Sequence, residues 1–566
     1  MFIVKKEIKG KDYYYLRQSI REDGKVKAKT LAYLGKSKEE AEKKAKEYKL
    51  KIEKNDMVEK PNKESKPNKE KNAFASFISE SGLIWGPEPE IYGGLAGFYT
   101  YGPLGKLLKN KVENSVRKIF NSNGLRELEG PTVVPDTVWK ASGHLETFMD
   151  RTIKCSKCKA IFRADKIVEE KFDVAADGWS DKKILDFIDE KEIKCPSCKG
   201  LFEKKIDTQS LMMKTNVAGT EASLRPETAT VTYLPYLRFY NYFKKKLPMG
   251  VFQIGKAYRN EISPRQHVLR GREFTQAEGQ LFVDPKEKNN WEKFEEIKKI
   301  KLPFWDYKGQ EDEQKPKSMT IENALKNGLI KSQAYGWCIN LAYQLYIGFG
   351  IPEERLRLRQ HHPDEKAFYA DDAWDVEINL NEYGWTEMCG VHDRTDYDLT
   401  QHSKFSGQKL EATRENGEKF TPHVLEIAFG TDRPTYALID IFYKEKTEGE
   451  GKTTFKLPYH MAPMEISVFP LMKKPELLEV AKEVKEDLER EFIVDYSISG
   501  SIGKRYLRSA IAGTPYAVTI DYDSLENKDV TIRDRDTEEQ KRIKIAELKD
   551  TLRKLISGEI SFNDLK

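Results

Sequence analysis

Between Met249 and Val283 the chain runs GVFQIGKAYRN, a polar loop, and REFTQAEGQLFV, two alternating segments that read as a strand and a returning strand. Side chains alternate faces along a strand, so Arg259 leaves the first on the side of Val251, Gln253, Gly255 and Ala257. On the second, Phe274, Gln276 and Glu278 share a face. A one-residue slip would move all of these to the other side, which makes the register a hard constraint. A surface carrying a cation, a flat ring and a carboxylate suits a ligand with an anion, a flat base and an amine.

The chain of 566 residues is 39% hydrophobic and 11% aromatic. At about 150 residues per domain it has room for roughly three to four domains with real cores. It has no run of about 18 apolar residues, and MFIVKKEIKGKDYYYL lacks the apolar core of a signal peptide. A cytoplasmic protein with no membrane partner is expected. Net charge is +5, but residues 1–72 alone carry 22 Lys+Arg against 13 Asp+Glu, so the remainder is slightly acidic. That basic segment reads either as a contact for phosphates or as a solvated Lys/Glu surface.

Residues 1–54 read as a small basic module. Two strand-like runs, Lys11–Ile20 and Lys25–Leu34, are joined at Glu22-Asp23-Gly24, and Ser37 with Glu40 forms a capping box for the helix that follows. Residues 55–72, with two near-repeats of KPNKE, are a flexible tether. From residue 73 the composition is globular up to about 456. Leu104, Leu107, Leu108, Val112, Val116 and Ile119 recur at three- and four-residue steps, a helix that packs either on its own core or on a second copy. Residues 457–566 alternate strand and helix patterns, an α/β arrangement.

Of six cysteines, four pair as Cys155-x-x-Cys158 and Cys195-x-x-Cys198, in an insertion at about 150–205. Without a secretion signal this spacing points to metal thiolates rather than disulfides. A structural zinc held by all four is the reading; four free thiols is the alternative. Ile184–Glu190 in the gap is helix-like. Cys338 and Cys389 sit in apolar settings and read as core.

The wording YRNEISPRQ…REFTQAE resembles motif 2 of class II aminoacyl-tRNA synthetases, close to the glycyl-tRNA synthetases of archaeal and eukaryotic type. GGLAGFYTYGPLG and its helix resemble motif 1, which in the family makes a homodimer interface. HVLEIAFGTDRPTYALIDIFY resembles motif 3, with Thr431 as a plausible N-cap and Pro434 tolerable in the first turn. The C-terminal part resembles the anticodon-binding domain of the glycyl, histidyl, threonyl and prolyl enzymes. The resemblance covers about residues 74–555. It implies an α+β fold, the class II antiparallel sheet with flanking helices, plus that C-terminal α/β domain and the appended N-terminal module.

It further implies a ligase that activates glycine with ATP and Mg²⁺ and transfers it to the 3′ end of tRNA(Gly). Attack of a carboxylate on the α-phosphate needs fixed cations more than an acid or base. Arginine stays charged and binds planar oxyanions with two donors. Arg259 is thus the first choice for the carboxylate and α-phosphate, with Glu261, Arg270 and Arg272 near the nucleotide and Phe274 stacked on the purine. Arg433 covers the adenine from the other side. Glu426 acts on the ribose or Mg²⁺, and Glu387 is a further candidate for the metal. Arg259, Arg433 and Glu426 carry catalysis in this reading.

Glycine has no side chain to hold, so selection rests on exclusion and a grip on the amine. Glu227 and Glu278 match the family's amine-binding acids. The family's motif 3 typically reads VIEPSFG, and here Ala428 stands where the serine ligand is expected. Ala510 and Ile511 likewise replace the acidic pair before the Ile-Gly-Thr-Pro turn, which bears on anticodon contacts. Two other readings remain: a catalytically reduced RNA-binding paralogue, and a sister class II enzyme for threonine or proline.

Overall fold

The computed structural model describes residues 2–8, 11–22, 25–45, 73–445 and 453–565, apart from 170, 173, 175, 177, 263, 265, 266 and 368. The chain divides into two compact units, Met1–Glu70 and Lys71–Lys566. The first holds three antiparallel strands, Phe2–Ile8, Lys11–Glu22 and Lys25–Gly35, followed by a helix over 38–45. The strand Phe2–Ile8 is an addition to the expected hairpin. Ser37 Oγ accepts from Glu40 N at 3.3 Å, whereas the Glu40 carboxylate accepts from Lys44 at 2.6 Å, so only half of the anticipated capping box forms. The turn residues Asp23 and Gly24 and the tether 55–72 lie outside the described residues.

The second unit is built on a nine-stranded sheet. Its order is Lys317–Thr320, Lys301–Trp305, Leu356–Gln360, Asp372–Leu380, Gly384–Thr395, His423–Gly430, Glu273–Val283, Met249–Tyr258 and Leu125–Glu127. The six central strands, from Leu356–Gln360 to Met249–Tyr258, are joined antiparallel, and Lys301–Trp305 and Leu125–Glu127 pair with them in parallel on either side. Alternation sorts the two faces. Ala277, Leu281, Leu425, Ile427, Phe429, Val391, Trp374 and Val376 point into one large core. Their neighbours in sequence, among them Glu278, Glu426, His392 and Asp375, take the opposite face.

Three helices cover the apolar face. Gln333–Gly348 is apolar nearly all round, as expected of a helix packed on every side, and Ser332 caps it by accepting from Tyr335 N at 3.3 Å. Pro103–Ser122 buries Leu108, Val112, Val116 and Phe120 in the chain's own core. A Cβ on Gly105 would lie 1.8 Å from the Leu83 carbonyl oxygen, so only glycine lets this helix start against the preceding loop. The helix Asp432–Phe442 follows the strand that ends at Gly430.

A buried ion pair locks this assembly. Lys109 Nζ donates to Asp432 Oδ1 at 2.5 Å and to Thr275 Oγ1 at 2.8 Å. Asp432 also accepts from Thr275 N at 2.6 Å and from the Tyr101 hydroxyl at 2.7 Å. Burial pushes the Asp432 carboxyl up, but the Lys109 ammonium and these donors hold it below the usual carboxylate range. Thr431 makes no side-chain capping bond; the first-turn carboxylate of Asp432 instead reaches sideways to the neighbouring strand. One pair therefore joins the helix Pro103–Ser122, the strand Glu273–Val283 and the helix Asp432–Phe442.

Residues 465–565 form a separate layer, a five-stranded sheet in the order Val494–Tyr496, Ile466–Pro470, Tyr516–Ile520, Asp529–Asp534 and Gln540–Lys544. The first three are parallel and the last two antiparallel, with the helices Pro475–Leu488 and Ile545–Ser557 packed into its core.

Removing one partner of a buried pair strands the other charge. Asp432→Ala should therefore cost about 3–5 kcal/mol, while Lys109→Met with Asp432→Leu should recover much of that loss in denaturant melts.

Candidate functional site

Opposite the apolar core, the sheet's polar face lines a cavity of about 320 Å³. Its floor follows from the register. Ala257 stands opposite Phe274, Gly255 opposite Gln276 and Gln253 opposite Glu278. On the other side Glu278 faces Ala428 and Gln280 faces Glu426. The next strand brings Gly390 to Ala428 and His392 to Glu426.

Arg259, Glu261, Arg270, Phe274, Glu227, Glu278, Glu387, Glu426, Ala428 and Arg433 all line this cavity. Arg259 Nε donates to the Pro226 carbonyl at 3.0 Å, and its guanidinium lies 5.5 Å from the Phe148 ring centre and 5.3 Å from that of Phe274. Two aromatic faces fix the cation while no carboxylate among the described residues claims it. Arg270 pairs with Glu261 at 2.8 Å. Arg433 Nη1 reaches the Glu387 carboxylate at 3.1 Å and its carbonyl at 2.7 Å, and this guanidinium holds the Glu387 carboxyl below its ordinary range.

Arg272 departs from the expected position. Its Nε donates to the Glu261 carbonyl at 2.9 Å and its Nη1 to that of Ala96 at 3.1 Å, so two backbone acceptors draw it out of the cavity wall.

The three acids differ in kind. Glu278 is 2% exposed, and burial together with the charges of Glu426 and Glu227 pushes its carboxyl up to about 8, although Thr228 Oγ1 donates to it at 2.6 Å. Glu227 accepts from Thr230 N at 3.0 Å. For Glu426, burial opposes ionisation, but the Arg394 guanidinium and the His392 bond keep it far below the usual range. Its oxygens take Arg394 Nη1 at 3.2 Å, His392 Nδ1 at 3.0 Å and Gln280 Nε2 at 2.9 Å. A metal or ribose contact from Glu426 would require one of these partners to yield. Gln276 Oε1, by contrast, is buried with no donor among the described residues, an acceptor left for a ligand N–H.

Sequence reasoning did not single out Arg394, His361, Asp375 or His392. Arg394 is clamped between Glu426 and Asp398, donating to the latter at 2.8 and 2.9 Å, with the Tyr369 ring 4.3 Å away. The available signal was polar residues at every second position in otherwise buried strands: Asp375-x-Glu377 and His392-x-Arg394.

The cysteines converge as a second site. Sγ of Cys155 lies 3.5 Å from that of Cys198, and Cys158 lies 3.7 Å from Cys195. A zinc tetrahedron with about 2.3 Å bonds needs sulfurs about 3.8 Å apart. Both Cys-x-x-Cys turns have the same form: Lys159 and Lys199 adopt φ of 61° and 59°, and Cys155 N and Cys195 N each donate back across the turn at 2.9 Å. The helix between them spans Asp181–Glu190, with Ser180 as its cap. Cys338 and Cys389 are buried and free.

Residues 214–442 match the family model "tRNA synthetase class II core domain (G, H, P, S and T)", and residues 465–555 match "Anticodon binding domain". Glycine–tRNA ligase from Methanococcus maripaludis is 39% identical over 557 residues, covering 82% of this chain and 96% of that protein. The chain belongs to the glycine–tRNA ligase family. Other members, from Thermococcus gammatolerans and Pyrococcus horikoshii, are each 37% identical, covering 84% of this chain and 97% of theirs. A prolyl-tRNA synthetase structure from Cryptosporidium parvum, complexed with halofuginone and AMPPNP, shares the fold at a TM-score of 0.51 and 16% identity. It covers 86% of this chain and 77% of that one. Residues 3–59 match "IS1634 family transposase, N-terminal domain".

The raised Glu278 carboxyl predicts a pH-dependent strain. Its ordinary value is 4.5, so as pH rises from there to about 8 the folded state holds a proton the unfolded chain has lost, and stability falls. Glu278→Gln should raise Tm by a margin that grows between about pH 5 and 8 and then levels off. Equal Tm differences at pH 5 and pH 9 would contradict this.

Proposed function

We propose that this chain activates glycine with ATP to glycyl-adenylate and then transfers the glycyl group to the 3′ end of tRNA(Gly). The observation that carries the reading is the convergence of Arg259, Phe274, Glu278 and Arg433 on one cavity, in a chain of this family. Arg259 would hold the substrate carboxylate and the α-phosphate, which brings nucleophile and electrophile together and offsets charge growing on phosphorus. Phe274 would stack on the adenine, and Arg433 would cover its other face after releasing Glu387. Glu227 and Glu278 would grip the ammonium, Glu278 giving up its proton as the cation arrives, with Gln276 Oε1 as a further acceptor.

Mg²⁺ bound with the nucleotide would neutralise phosphate charge. Glu387, whose side chain is 55% exposed, fits that contact better than the fully occupied Glu426. The Cys155, Cys158, Cys195 and Cys198 set would hold structural Zn²⁺ and keep its insertion folded. Stripping that metal with a strong chelator should release at least one zinc per chain and lower Tm. A protein that carries no zinc would count against this assignment.

A homodimer is part of the proposal. Ile91 and Tyr92, just before the helix Pro103–Ser122, are 89% and 84% exposed, which suits a contact with a second copy. The basic N-terminal module would add phosphate contacts to tRNA. Among the described residues no helix is long and apolar enough to cross a membrane, in keeping with a cytoplasmic site of action.

ATP–pyrophosphate exchange with each of the twenty amino acids tests this reading. Exchange should be driven by glycine alone and fall at least about 100-fold in Arg259→Ala. No exchange from folded protein that still binds tRNA would favour the RNA-binding paralogue, for which Ala428 is the supporting feature.

A further inference from the structure

In the wall of the same cavity, His361, Asp375 and His392 bring one ligand atom each within 4.8 Å of one another. His361 Nε2 lies 2.8 Å from Asp375 Oδ2, and the two imidazole rings stand 6.0 Å apart at 78°. Asp375 is nearly inaccessible, with a side-chain exposure of 5%, whereas His361 and His392 retain 18% and 21% on the cavity side. None of the three is needed by the proposed activation step.

We propose that these three side chains form a site for a first-row divalent cation of the zinc class, distinct from the four cysteines and from the Mg²⁺ that accompanies ATP. Two imidazoles and one carboxylate are the ligand set that such cations take when positions are left open. The second shell is already built. Glu426 Oε1 accepts from His392 Nδ1 at 3.0 Å, which fixes the tautomer and turns the Nε2 lone pair to the cluster, as a carboxylate behind a metal-bound histidine does. Gly390 makes room for this pose: a Cβ there would lie 2.6 Å from His392 Cε1 and 3.0 Å from Nε2. The neighbouring cation, Arg359, stands 3.6 Å from Asp375 but is held elsewhere by two bonds to Glu365, at 3.1 and 2.7 Å. Bonds of about 2.0–2.2 Å set ligand atoms roughly 3.4 Å apart, so the His361–Asp375 contact at 2.8 Å would open and the wider separations, all within 4.8 Å, would close. Beside the cluster the cavity floor is Gly390 and Ala428, and Glu387 is the neighbouring carboxylate, interacting with Asp375 and both imidazoles.

The test is metal titration of the full chain, stripped and reloaded with Co²⁺. It does not depend on which amino acid the protein activates, so it can fail while the proposed function stands. The cysteine site reports itself through thiolate charge-transfer bands in the near ultraviolet, and an unchanged thermal melt shows that each variant has kept its fold. Wild type should take up one equivalent beyond the thiolate phase, adding visible absorption without further thiolate bands. His392→Ala and His361→Gln should each lose that equivalent and keep the thiolate bands. Wild-type binding that ends with the thiolate phase, or an equal cobalt content in wild type and both variants, would overturn the proposal.

Discussion

Strand register is the constraint on which everything polar in this molecule depends. Glu278 stands between Gln253 and Ala428, and Glu426 between Gln280 and His392, in a sheet whose other face is a continuous apolar core. A slip of one residue in Glu273–Val283 would turn Ala277 and Leu281 to the cavity and drive Glu278 into that core. Burial of the apolar face and placement of the site are thus one event. The core supplies the energy that keeps three carboxyls on a shared, poorly solvated floor.

That floor concentrates like charge, and the structure answers it in two ways. Arg394 neutralises Glu426 from below, with Asp398 behind it, so one acid is permanently ionised and structural. Glu278 forms no ion pair among the described residues and is pushed to about 8, so it waits as a neutral acid for a cation. The proposed chemistry uses this difference: a site already poised to accept an ammonium needs no side-chain pocket to select a substrate that has none. Lys109 and Asp432 play the matching role beneath motifs 1, 2 and 3, replacing solvent by a pair whose geometry is fixed by Thr275 and Tyr101.

Much of this was legible in the sequence because it is local. Alternation within 249–283 and 423–430 is enough to put Arg259, Phe274, Glu278, Glu426 and Ala428 on common faces, and two Cys-x-x-Cys turns announce a single cluster. What was not legible depends on pairing between distant segments. Asp375 and His392 come from two strands and His361 follows the end of a third, and a bulge between Val376 and Glu377 shifts the parity that would relate Glu387 to them. Arg272 shares the parity of Phe274, yet two backbone carbonyls outside the strand claim its guanidinium. The strand Phe2–Ile8 was missed because its lysines mask the alternation, and Thr431 makes no cap because its hydroxyl donates to Glu113 and the Thr275 carbonyl, partners distant in sequence.

The most direct test of the central claim is a crystal structure with a non-hydrolysable glycyl-adenylate analogue. The phosphate mimic should sit on Arg259, the adenine between Phe274 and Arg433, and the ammonium within hydrogen-bond reach of Glu278 and Glu227. An analogue seated away from this polar face, or one whose ammonium points away from both acids, would contradict it.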